Sequence, residues 1–342
     1  MVSKYPLFSF IRRGHSARMA SLTSTTSAPR VAPAATPGAL DARANGLMTL
    51  LCLLWGLQQI SLKAVAPQAS PMMMVALRSL IAIVLLVALM ARRRERLSPG
   101  LWRPGIVVGT LFAVEFVLAT TALRMTLASH VVVFLYTAPI FAALGLHLRL
   151  PAERLGVVQW IGIGVAFCGI ALAFLGGGAS VAATPSSAWG DAIALLAGAA
   201  WGATTVTIRV TSLTTATASE TLLYQLAGAV VLLLPVAWLT GQTHFTPSPE
   251  VLAHLAFQGV IVSFGSFLIW FWLLRHYLAS QLGVFSFLTP LFGVALGVWL
   301  LGEALEPRFV AGSVLVLAGV GLVSGHVIVA RLVRRARGAA TS

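Results

Sequence analysis

The chain has 342 residues, 58% of them hydrophobic and 9% charged, with a formal net charge of +14 and a mean hydropathy of +0.92. That balance excludes a pair of soluble domains, and nucleic acid is excluded as a partner because the basic residues stand at the ends of apolar runs, where they report membrane orientation. Unsatisfied peptide groups are too costly in hydrocarbon for open chain, and the apolar runs are about 20 residues long, so the spans are expected to be helices and not barrel strands.

Residues 1–44 are rich in Ser, Thr, Ala, Pro and Arg, with no acidic residue before Asp41, and are expected to form a disordered basic tail. Two origins fit it: an organellar transit peptide, or an over-long start with translation beginning at Met19 instead of Met1. Ten spans follow, predicted at 47–66, 71–91, 104–123, 127–148, 156–175, 188–208, 219–239, 251–274, 280–301 and 308–330, and then a basic tail, 331–342. Of the 23 Lys and Arg residues, all but Lys63, Arg124, Arg308 and the in-span Arg78 fall on the side of the two termini, which the positive-inside rule makes cytoplasmic. Cys52 and Cys168 both lie in spans without metal-ligand spacing and read as packing residues.

Taken along the chain, the polar residues inside spans are the candidates for a solute path, because a polar solute must regain in the protein the hydrogen bonds it loses with water. The first span carries Trp55-Gly56, Gln58, Gln59 and, near its end, Lys63; the second carries Arg78, too deep to snorkel without strain. Glu115 lies near the middle of the third span, where a lipid-facing carboxylate costs about 3 kcal/mol, so it should face the interior, be paired or be protonated: as a coupling carboxylate, an anchor for a substrate ammonium, or a neutral acid bonded to a neighbouring helix. Tyr136 and Pro139 are in the fourth span. The sixth has Asp191 near its start, then Trp201-Gly202, Thr204, Thr205, Thr207 and Arg209. Glu220, Tyr224 and Gln225 follow in the seventh, Trp270 in the eighth, and Ser286, Thr289 and Pro290 in the ninth. Trp55, Gln58, Gln59, Glu115, Tyr136, Trp201, Thr205, Tyr224, Gln225, Trp270, Ser286 and Thr289 are the candidate cavity lining; Glu115, Arg78, Pro139 and Pro290 are the candidates for coupling or gating. Lys63 and Arg209 are expected to anchor at the interface, Asp191 and Glu220 to cap their helices, and His130 to be an ordinary interfacial histidine. Small-residue pairs such as Gly105 with Gly109, Gly198 with Gly202 and Gly293 with Gly297 are expected to allow close helix contact.

The two halves repeat. Leu123, Arg124, Leu127, Ala128, Ser129, Val133, Phe134, Pro139 and Phe141 recur at the same spacing as Leu274, Arg275, Leu278, Ala279, Ser280, Val284, Phe285, Pro290 and Phe292. Five spans per half is an odd number, so the second copy enters the membrane from the opposite side, and a site is expected between inverted halves. The expected fold is therefore an all-α membrane protein of ten transmembrane helices in two inverted five-helix repeats, 45–175 and 188–330.

The series Trp55-Gly56, Lys63, Arg78, Ala128-Ser129, Pro139 and Glu153, repeated as Trp201-Gly202, Arg209, Ala279-Ser280, Pro290, Gly302-Glu303 and Gly312, resembles the EamA module of the drug/metabolite transporter superfamily over residues 45–330. The resemblance implies a ten-helix secondary transporter with cytoplasmic ends, in a bacterial inner membrane, carrying amino acids, metabolites or small drugs, with efflux as the direction. It departs where the usual small-polar pair after the first Trp-Gly is Leu57-Gln58. A small-molecule substrate, membrane lipid, protons as the coupling ion and a second copy of the chain are the expected partners, with no cofactor and no metal. The sequence contains no phosphate-binding loop, so a solute or ion gradient must supply the energy. A passive facilitator or channel is the alternative; an intramembrane lipid-modifying enzyme would want a cluster of acids, histidines or cysteines that the sequence does not offer.

Overall fold

The computed structural model describes residues 42–151, 154–175, 185–277, 282, 285–286 and 288–339. The expectations for the N-terminal tail and its start site, for Glu153 and for Ala279-Ser280 fall outside the described residues. Twelve helices are described: α1 (Ala42–Ala64), α2 (Pro71–Arg93), α3 (Trp102–Met125), α4 (Ala128–Leu135), α5 (Ala138–Arg149), α6 (Val157–Leu175), α7 (Pro185–Val210), α8 (Ala218–Leu239), α9 (Pro249–Ala256), α10 (Phe267–His276), α11 (Leu288–Leu301) and α12 (Pro307–Ala339). Phe257–Ser266 is a π-helical stretch that joins α9 to α10. Among the described residues, seven helical stretches are long and apolar enough to cross a membrane: α1, α2, α3, Ala128–Arg149, Ser187–Val210, α8 and Pro249–Trp270. Three shorter apolar helices accompany them, Val157–Ala173, α11 and Pro307–Val323.

Local sequence explains where these helices stop. Thr217 opens α8 by accepting the Glu220 N–H at 3.1 Å, and Ser248 opens α9 by accepting the Val251 N–H at 3.2 Å, with Pro249 in the first turn where its missing N–H costs nothing. Arg94 ends α2 in the left-handed region, its N–H and that of Glu95 returning to Ala91 O and Met90 O. Gly241 ends α8 with φ +67, and the Gln242 N–H closes on Ala237 O at 2.7 Å, a turn that favours glycine. Pro139 sits in the first turn of α5, so the predicted fourth span is two helices broken at Tyr136–Thr137; the Thr137 hydroxyl donates to Phe134 O at 2.6 Å across the break.

At several glycines the packing is backbone on backbone. A Cβ on Gly109 would meet Tyr224 O of α8 at 2.5 Å, and one on Gly228 would run into the backbone of Gly109, so α3 and α8 cross in direct contact. Gly56 of α1 lies against Gly293 and Thr289 of α11, Gly198 of α7 against Phe134 O of α4, and Gly162 and Gly169 of α6 against Gly319 and Gly312 of α12. Without a hydrophobic force between helices in lipid, this close approach is what holds such helices together. One extended bridge joins two connections: Ala69 pairs with Phe245, flanked by Ser70 N–H to His244 O at 3.0 Å and Thr246 N–H to Gln68 O at 2.9 Å.

Candidate functional site

Arg78 of α2 is 3% exposed and Glu115 of α3 is 5% exposed, which puts two formal charges deep in the bundle. Arg78 Nη1 donates to Gln258 Oε1 at 2.6 Å, and its guanidinium lies over the Phe116 ring, 4.6 Å from the centroid. Gln258 then donates through Nε2 to Gln58 O at 2.8 Å, so a single amide on the π-helical stretch ties α2 to α1. Arg78 and Glu115 lie within electrostatic reach of each other, yet Arg78 Nε and Glu115 Oε2 are both buried without a hydrogen-bond partner. A buried unpartnered polar atom is expensive, and here two such atoms stand on opposite charges.

Aromatic side chains stand at Tyr136, near the pair, and at two tryptophan contacts beyond it. Tyr136 at the end of α4 is within electrostatic reach of Glu115 and close to Thr289, which also neighbours Cys52. Its ring meets Trp201 edge to face, 5.2 Å between centroids. Trp55 meets Trp270 in the same way at 5.6 Å, and its indole N–H donates to Ser266 Oγ at 2.9 Å, at the far end of the π-helical stretch from Gln258. Gln59 Oε1 and Thr289 Oγ1 are buried without partners, two more uncommitted polar atoms on α1 and α11.

The remaining sequence candidates divide. Thr204, Thr205 and Thr207 all donate their hydroxyls to carbonyls of their own helix, at 3.1, 3.3 and 2.8 Å, so the matched polar sector expected on α7 spends its donors on α7 itself. Ser286 does the same, donating to Leu282 O at 3.3 Å. Tyr224 packs over Gly105, among Leu101, Val108 and Leu213, and not with the Arg78 group. Gln225 is half-buried on α8. Pro290 is buried in the first turn of α11, where its missing N–H costs nothing.

Sequence reading missed Gln258 and Ser266, although Gln258 met the same criterion as Glu115: a polar side chain inside a predicted apolar span. It also underestimated the charges near span ends. Lys63 donates to Leu123 O and to Thr126 O at 2.8 Å, neutralising the carbonyl end of α3. Glu303, 8% exposed, accepts the N–H groups of Ala128 at 2.6 Å and Ser129 at 3.0 Å, at the amino end of α4. Gly302, at φ +64, turns the chain after α11 so that Glu303 reaches that end. Asp191 does not cap its own helix; it accepts from Thr126 Oγ1 at 2.6 Å and pairs with His130 Nδ1 at 3.0 Å, while the His130 ring stacks on Phe309 at 3.6 Å. Glu220 likewise looks outward from α8, accepting the N–H and hydroxyl of Ser98 at 2.8 and 2.9 Å. The break between α3 and α4 is thus held by a cation and two acids drawn from three other places in the chain, together with His130 of α4 itself.

Comparison with known proteins follows this architecture. Residues 43–175 and 188–325 each match the model of the EamA-like transporter family. Among curated relatives, the "Uncharacterized transporter" of Archaeoglobus fulgidus is 23% identical, covering 83% of this chain and 98% of its own. The "Uncharacterized inner membrane transporter YedA" of Escherichia coli K12 is 25% identical over 80% of this chain and 88% of its own. The "Probable amino-acid metabolite efflux pump" of Salmonella typhimurium is 26% identical over 81% and 93%. One solved structure shares the fold, with a TM-score of 0.58 at 19% identity, covering 82% of this chain and 95% of that one. With several membrane-spanning helices and both halves matched, the chain is an integral membrane protein and belongs to the EamA-like transporter family.

Proposed function

We propose that the protein is a secondary transporter that exports small zwitterionic or amphipathic metabolites, amino acids foremost, by alternating access. The observation that carries this reading is the buried Arg78–Glu115 pair, whose charges interact through space while Arg78 Nε and Glu115 Oε2 stay unpartnered. A carboxylate on the guanidinium and an ammonium on the carboxylate satisfy both at once, and the rings of Tyr136, Trp201, Trp55 and Trp270 offer stacking and cation-π faces to the remainder. The name of the Salmonella relative agrees in substrate class and direction.

In this reading ten helices form two inverted five-helix repeats, both termini are cytoplasmic, and the chain works without enzymatic chemistry. Glu115 is also the group that exchanges a proton when no substrate is bound, which makes protons the coupling ion. A homodimer is the assembly this reading carries. The test is counterflow in proteoliposomes: an internal pool of unlabelled amino acid should accelerate uptake of the labelled one, with saturation. Amine or acid analogues lacking one of the two charged groups should compete at least tenfold less well, a difference of about 1.4 kcal/mol. Flux that rises without saturation and is indifferent to the internal pool means a pore and overturns the carrier.

A further inference from the structure

A concave site lies at the C-terminal end of α1. A cavity of about 440 Å³ opens between the α1–α2 connection, the end of α3 and the α8–α9 connection, and Lys63, Ser70, Arg124, Gln242 and His244 are among its lining residues. That size suits a small metabolite. No acidic side chain lines it, whereas Lys63 and Arg124 are two of the few cations that the distribution of charge leaves on this side of the bundle.

The polar groups here are built in, not merely exposed. Ser70 is 1% and Gln242 is 7% exposed, both line the cavity, and Ser70 Oγ and Gln242 Oε1 have no hydrogen-bond partner. The Gln242 amide is oriented, because its Nε2 donates to Thr240 Oγ1 at 3.0 Å and the Gly241 turn fixes the backbone behind it. His244 is fixed as well: its Nε2 donates to Ala66 O at 3.1 Å, which leaves Nδ1 for a ligand. Lys63 has three donors and uses two, on Leu123 O and Thr126 O, so one remains.

We propose that this cavity is a second binding site, for a small hydroxy- or amino-carboxylate. The carboxylate is taken by the third Lys63 donor and the Arg124 guanidinium, and the ligand's hydroxyl or ammonium donates to Gln242 Oε1, with Ser70 Oγ completing the shell. Because Lys63 also holds the carbonyl end of α3, an occupied site ties that helix end to the α8–α9 connection. The site stands apart from the Arg78–Glu115 cluster and does not depend on what that cluster binds.

Fluorine NMR on the full chain in detergent tests it, with 3-fluorolactate as the probe and 3-fluoropropane-1,2-diol as its uncharged counterpart. The expected result is broadening of the fluorolactate signal alone. Arg124→Ala with His244→Ala, both at exposed positions, should weaken binding roughly tenfold or more, while Arg124→Lys retains most of it. An unchanged unfolding temperature in the double variant confirms that it is folded. Equal broadening by the diol, broadening that survives the double variant, or no broadening with the unaltered protein each overturns the proposal.

Discussion

Gln258 shows how much one amide can decide in a low-dielectric interior. Its oxygen is the acceptor for Arg78 and its nitrogen the donor to Gln58 O, so replacing it with Leu strands a guanidinium donor and a carbonyl together. Gln258→Leu should lower stability by about 1–3 kcal/mol, read as a shift of the unfolding midpoint in denaturant. Glu115→Gln tests a different property, since it keeps the shape and removes the charge. It should lower the unfolding midpoint, because Arg78 is left as a buried charge without its counter-charge, and in the folded variant proton-driven transport in proteoliposomes should fall to background; undiminished proton dependence would remove Glu115 from coupling. Glu303 is a third case. Glu303→Ala leaves the N–H groups of Ala128 and Ser129 without acceptors at a buried helix end, and should cost about 1.5–3 kcal/mol in the same assay. Arg78 and Glu115 were legible in the sequence because any ionisable group inside an apolar run announces itself. What Glu303, Asp191 and Lys63 do was not, because they sit near span ends, where interfacial charges are ordinary, and their partners lie far away in the chain.

Among the elements, Pro139 and the threonines of α7 differ in how far sequence alone fixes what they do. Pro139 lacks an N–H and so breaks the α4–α5 rod whatever its neighbours do, whereas a threonine chooses between its own helix and a neighbouring one, and that choice is made by packing. The π-helical stretch Phe257–Ser266 left no sequence mark beyond its glycines and serines, yet it sets the spacing between Gln258 and Ser266, the two points where it meets α2, through Arg78, and α1, through Trp55. The α3–α8 crossing gives the sharpest test at this scale. Gly228→Ala places a methyl against the backbone of Gly109, where no side chain can yield, and should destabilise by about 1–3 kcal/mol or separate the two helices. An unchanged unfolding midpoint for Gly228→Ala would show that the helices slide apart freely.

For the whole molecule, the Arg78–Glu115 pair lies where α1, α2, α3 and the π-helical stretch meet, and the end of the bundle at Lys63 is closed by contacts of two kinds. One is backbone pairing between the α1–α2 and α8–α9 connections. The other is the set of side chains that Lys63, Glu303, Asp191 and His130 place around the start of α4. These differ in what it takes to undo them. Side-chain caps at helix ends are replaceable by water one at a time, while the extended pairing with its two flanking bonds must be lost together.

In the alternating-access cycle proposed above, that difference assigns hinge and door: connections sewn together by main-chain bonds would move as one body, and an opening at this end would swing on the Ala69–Phe245 seam and part along the line where Glu303 grips α4. Locking the seam with a disulfide at Ala69→Cys and Phe245→Cys should leave counterflow intact. The same lock across Ala128→Cys and Glu303→Cys should stop it until a reductant is added.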